Sequence, residues 1–212
     1  MMIRRIAQLL FGLALYGFAS ALMLRSELGL SPWNVFHQGV ANHTHLSFGT
    51  VVGLTGGVLL LFWIPLRQRV GLGTVANVLV IGTAADVTLA HLPEAHGLAP
   101  RLALLALGVT LTGVASGLYI GAGLEPGPRD GIMTGLVKRT GWSIRTTRTA
   151  VELAALAIGV VLGGKVGVGT VVYALAIGPL VHFFLPKFTW RAPAAREGNL
   201  PNATPATSGK IH

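Results

Sequence analysis

Apolar residues gather into six runs, at about 5–25, 47–66, 72–91, 101–121, 146–163 and 168–186. Each approaches the roughly 20 residues that a helix needs to cross a hydrocarbon core of about 30 Å. Two longer polar breaks interrupt the series, and each holds a short segment, at 32–44 and 128–140. Thirteen residues make only about 20 Å of helix, too short to cross. The pattern predicts an all-α polytopic membrane protein with six spans and two short interfacial or re-entrant helices.

The pattern is written twice. Displaced by 96 residues, 5–89 falls on 101–185 with 26 identities and no gap. GLGTVANVLVIG (71–82) meets GVGTVVYALAIG (167–178), LYGFASAL (15–22) meets LTGVASGL (111–118), and Pro32-Trp33-Asn34 meets Pro128-Arg129-Asp130. Shared apolar composition does not keep such motifs and loop lengths in one register, so the chain reads as an internal duplication. It divides into a first membrane repeat at 1–96, a second at 97–190, and a polar tail at 191–212 whose composition predicts disorder. The basic start followed by Ala19-Ser20-Ala21 imitates a cleavable signal peptide. Its match to the internal run 101–121 argues for a retained helix.

If the short segments do not cross, each repeat crosses three times and the second copy is inverted in the membrane. With the N-terminus inside, that topology puts 13 Lys and Arg inside and 3 outside; a four-crossing repeat gives 11 and 5. Cytoplasmic enrichment of Lys and Arg favours the inverted arrangement, with both termini inside. The +9 net charge of the 212-residue chain is then a topology signal, not a nucleic-acid footprint. The chain is 52% hydrophobic and 11% charged, which removes it from the soluble class. With no cysteine, thiolate metal sites and disulfides are excluded.

Inverted repeats joined by interrupted helices are a frequent architecture of secondary transporters, with free helix N-termini facing the solute. GLSPWN (29–34) and GLEPGPRD (123–130) suit that part. Pro32 and Pro128 fit the first turn of a following helix, Ser31 fits its cap, and Asn34 and Asp130 fall where a helix start favours them. Ser31, Pro32, Trp33, Asn34, Glu125, Pro128, Arg129 and Asp130 are therefore candidates for a solute path. The competing reading makes the second break a cytoplasmic connector, with Asp130 stabilising a helix start and Arg129 at the headgroups.

Ionisable residues inside spans are the other candidates. Glu152 is the deepest carboxylate, and Arg148 stands four residues before it, so the two form either an intrahelical pair or a proton- or cation-coupling site. Asp86 and His182 are repeat partners expected at different depths, not as an ion pair; Asp86 also fits a near-surface position. His37, His43 and His45 have no neighbouring carboxylate, so no metal site is expected, and no cofactor motif is visible. The GxGTV pairs lack the strand and lysine of a phosphate loop. Gly113, Gly117 and Gly121, with Gly53 and Gly57, form small-residue faces for helix packing, within the chain or in a homodimer.

GLSPWNVFHQG, FGTV, GLGTV, GLYIGAGLEPGPRDGIMTGL, RTAVEL and GVGTVVYALAIGPLV resemble the YitT/YczE-type bacterial integral membrane proteins, over about 5–187. Glu125 stands where a small residue is expected in that family's run. The resemblance implies a bacterial cytoplasmic-membrane protein, with small-molecule export suggested. No HExxH, paired-carboxylate or nucleophile–base pattern marks an enzyme. The sequence thus supports a small-solute transporter or exporter in the lipid bilayer, against a channel without ion coupling or a non-transporting scaffold or accessory protein.

Overall fold

The computed structural model describes residues 2–190; the polar tail lies outside them. They form eight helices and no strand: α1 Met2–Ser26, α2 Pro32–Thr44, α3 Phe48–Leu66, α4 Leu72–His91, α5 Leu98–Gly121, α6 Pro128–Thr140, α7 Ile144–Val161 and α8 Val168–Phe188. Five are long and apolar enough to cross a membrane. The sixth expected span, α7, has 18 residues and carries Arg145, Arg148 and Glu152.

The duplication reappears in the helix boundaries. α2 and α6 begin at the two prolines and have the same 13-residue length. Ser47 and Ser143, equivalent by the 96-residue offset, cap α3 and α7, accepting from the amides of Thr50 and Thr146, the third residue of each helix, at 3.1 Å. The first helices of the repeats, α1 and α5, pack side by side and antiparallel. Near the start of α1, Arg5 Nε donates to Ala122 O beyond the end of α5 at 2.7 Å. At the other end, Glu27 just after α1 pairs with Arg101 in the first turn of α5 at 2.8 Å.

α4 lies against α1, and α8 lies equivalently against α5. Gly113, Gly117 and Gly121 accept Leu180, Phe184 and Phe188 of α8, one turn after another. This glycine face is thus filled within the chain and is not free for a homodimer.

The short helices cross over between repeats. α2 packs on α7, and α6 packs on α3. Trp63 of α3, 1% exposed, covers Gly131 of α6 and donates from Nε1 to Pro128 O at 2.9 Å. At the equivalent place in the other half the sizes are exchanged: Gly159 of α7 receives the backbone of Val35 and Phe36. In both halves a glycine lets the short helix and its partner approach closely, so both short helices stay anchored.

Candidate functional site

Each break is tied down by the helix-starting GxGT motif of the other repeat. Leu30 N donates to Thr170 Oγ1 at 3.2 Å, and Gly169 N to Leu28 O at 2.7 Å. In the second break, Thr74 Oγ1 donates to Pro126 O at 2.9 Å. Glycine is required because the break lies directly on the helix start: a Cβ at Gly73 or Gly167 would overlap the backbone of Glu125 or Leu28. The Glu125 carboxylate lies over the start of α4, accepting from Gly73 N at 3.5 Å, where the positive end of the helix dipole favours it. Glu125 is therefore a docking residue and does not line the cavity described next.

Between the breaks is a cavity of about 80 Å³, walled by Ser31, Pro32 and Trp33 at the start of α2 and by Gly127, Arg129 and Asp130 at the start of α6. The chain's three tyrosines, Tyr16, Tyr119 and Tyr173, complete the wall with Asn77 and Ser116. Ser31 caps α2, accepting from Asn34 N at 3.4 Å, and both prolines occupy first-turn positions. Asn34 is buried beside the cavity without lining it, while Pro128 borders a smaller neighbouring void.

Arg129 is held on aromatic faces. Its guanidinium carbon lies 5.7 Å from the Tyr16 ring centroid and 5.5 Å from that of Trp33, within cation–π range. None of the ion pairs among the described residues includes Arg129 or Asp130. Asp130 accepts from the Tyr119 hydroxyl at 3.4 Å and sits in the first turn of α6. Glu152 and Arg148 also line the cavity and satisfy one another at 2.9 Å, the intrahelical pair that their spacing allows.

The other two expected intramembrane candidates lie elsewhere. Asp86 accepts from Gly49 N at 2.7 Å and from the Ser47 hydroxyl, which makes it a cap for the start of α3. His182 is exposed on α8, outside the cavity. Among the described residues no cluster of His, Cys, Asp or Glu fits a metal ion.

The repeats differ at one seam. In the first, Gly49 and Gly82 bring α3 and α4 into backbone contact, and Gly56 meets Val78. In the second, the equivalent positions of α7 are Arg145 and Glu152. Gly178, which corresponds to Gly82, has nothing within 4 Å. α7 makes no comparable contact with α8, and both helices wall the cavity.

Outside the membrane spans, Glu27 bridges Arg101 and Lys165. Its pKa is held below the usual carboxylate value, chiefly by the hydrogen bond and charge of Lys165 and then by Arg101.

Eight helices, five of them long and apolar, with charged and aromatic groups around an internal cavity, define a multi-pass helical membrane protein. The chain belongs to a family of unknown function, DUF6198, whose pattern matches residues 3–186. It is 38% identical over 182 residues to an uncharacterized protein of Haemophilus influenzae, covering 86% of this chain and 84% of that one. It is 32% identical over 178 residues to the uncharacterized membrane protein YczE of Bacillus subtilis, covering 83% of each chain. The YyaS protein of the same organism is 25% identical over 182 residues, 82% of this chain and 89% of the relative. The resemblance to YczE-type membrane proteins is thereby shown. No solved structure matches the chain.

Proposed function

We infer that the protein is a small-solute transporter or exporter of the bacterial cytoplasmic membrane, built as two inverted three-span repeats with α2 and α6 as non-crossing short helices. The observation that carries this reading is the cavity between the two breaks, where the starts of both short helices converge with Arg129, Asp130 and Glu152. Antiparallel packing of the equivalent helices α1 and α5 supports the inversion. The three-crossing topology, with the cytoplasmic side at the start of α7, rests on the excess of Lys and Arg there. The unequal seams support alternating access: the path is closed between α3 and α4 while it is open between α7 and α8. Gly178 leaves room for α7 to approach, and the Arg148–Glu152 pair stands where that approach occurs.

A cysteine in place of Ser31 or Ser116, in this cysteine-free chain, tests the reading in sealed vesicles. A carrier exposes these positions to impermeant thiol reagents from either face, with rates that change when a transported solute is added. A packed scaffold protects them from both faces, and that result would sink the proposal. Glu152→Gln separates the remaining pair: in a carrier it uncouples solute movement from an ion gradient, whereas in a channel it changes conductance alone.

A further inference from the structure

We propose that the solute carries a small oxyanion, a carboxylate or phosphate-type group, which binds Arg129 in the cavity between α2 and α6. The proposal rests on the transport reading of that cavity and adds the chemical class of what enters it.

Two arginines and two carboxylates line the cavity, and no carboxylate oxygen is in ion-pair contact with Arg129. Arg148 is satisfied by Glu152 at 2.9 Å. Asp130 stands in the first turn of α6, where the unpaired amides and the positive end of the dipole stabilise a carboxylate. Arg129 occupies the same turn with the opposite sign, so its own helix opposes it. The start of α2 also lines the cavity and adds to the positive potential. The faces of Tyr16 and Trp33 attract the cation but accept none of the five N–H groups that a guanidinium directs outward in its plane. The Arg129 side chain is half-buried in the wall, and a cation withdrawn from water is costly unless an acceptor meets it. Planar, bidentate oxyanion recognition is the function for which an arginine fork is best shaped. The volume of about 80 Å³ holds a group of only a few heavy atoms. A carboxylate or phosphate group fits, and any larger remainder of the solute must extend into the open α7–α8 seam.

Trp33 in the cavity wall and Trp63 against α6 supply the reporter signal. Full-length protein with the exposed Trp142 and Trp190 changed to Phe is placed in phosphatidylcholine nanodiscs and followed by tryptophan emission. Sodium acetate or sodium phosphate is titrated at constant ionic strength against chloride; tetramethylammonium is titrated separately, and phosphatidylglycerol replaces part of the lipid in a further arm. The expected result is a saturable emission change with acetate or phosphate. Arg129→Gln should weaken it by roughly tenfold or more, while Lys138→Gln, on the exposed end of α6, leaves it unchanged. Should Arg129→Gln not fold, Arg129→Lys is read instead, with weaker but measurable binding expected. A response to phosphatidylglycerol alone keeps the oxyanion and assigns it to a lipid headgroup. No saturable response to any oxyanion, or the same response in the Arg129 variants, would overturn the proposal. A response to tetramethylammonium alone overturns the anion and leaves the transport reading standing. Oxyanion binding with Ser31→Cys and Ser116→Cys sealed from both faces would do the reverse.

Discussion

Alanine at Gly49 and at Gly178 should have unequal effects, although both positions lie on repeat-equivalent seams. At Gly49 the added Cβ would overlap the Gly82 carbonyl oxygen and approach the Asp86 carboxyl carbon to 2.6 Å. Both neighbours are fixed, one as helix backbone and the other by its cap on Gly49 N at 2.7 Å. Overpacking of this kind costs about 1–3 kcal/mol. Strain on a hydrogen bond to a charged acceptor adds up to about 1.5–3 kcal/mol. Helix propensity returns at most about 1 kcal/mol. The net loss is about 1.5–5 kcal/mol, and at roughly 2–4 °C per kcal/mol for a chain of this size the midpoint falls by roughly 3–20 °C. At Gly178 nothing but its own chain neighbours lies within 4 Å. Pro179 follows inside α8 and disfavours a helical residue with a Cβ before it, which offsets the propensity gain of about 1 kcal/mol. The midpoint therefore stays within roughly 2–4 °C of the parent. Thermal unfolding of the two purified variants in the same detergent, followed by size-exclusion recovery, measures both. Equal losses at the two positions would refute the unequal seams.

Trp63→Phe removes the hydrogen bond to Pro128 O while filling most of the volume over Gly131. It should lower stability by about 0.5–1.5 kcal/mol, seen as a modest fall in the same thermal assay. Glu27→Gln should separate from the parent by pH. The folded-state pKa is depressed, so its contribution is present above the unfolded value near 4.5 and is lost as pH falls through the folded value. The midpoint difference between parent and variant should therefore be constant near neutral pH and vanish in acid. A difference that grows on acidification would count against the Lys165 and Arg101 bridge.

Much of this arrangement was legible in the chain because the duplication fixes register. All six apolar runs became helices within a few residues of their expected ends, and Pro32 and Pro128 started the two short ones. Ser31, Pro32, Trp33, Arg129, Asp130 and Glu152 do meet around one cavity. Glu125 does not, since sequence proximity to Arg129 says nothing about which way a break folds; the Gly71-Leu72-Gly73-Thr74 start that receives it lies 52 residues away. Asp86, which fits both a coupling role and a near-surface position from sequence, caps the start of α3; that partner is not legible because it lies 37 residues upstream. Tyr16, Asn77, Ser116, Tyr119 and Tyr173 were missed as wall residues. The signal that would have found three of them was scarcity: only three tyrosines occur in the chain, all within apolar runs. The open α7–α8 seam was equally readable, in the replacement of Gly49 and Gly56 by Arg145 and Glu152 at the repeat offset.

The inverted arrangement of the repeats is tested most directly at Leu46 and Trp142. These equivalent positions follow the two short helices, and they are 42% and 54% exposed. Single cysteines there, in sealed vesicles of known orientation, are labelled with an impermeant thiol reagent from each face. The account predicts that Leu46→Cys reacts only from the outside and Trp142→Cys only from the inside. Reaction of both from the same face would mean parallel repeats and would contradict it.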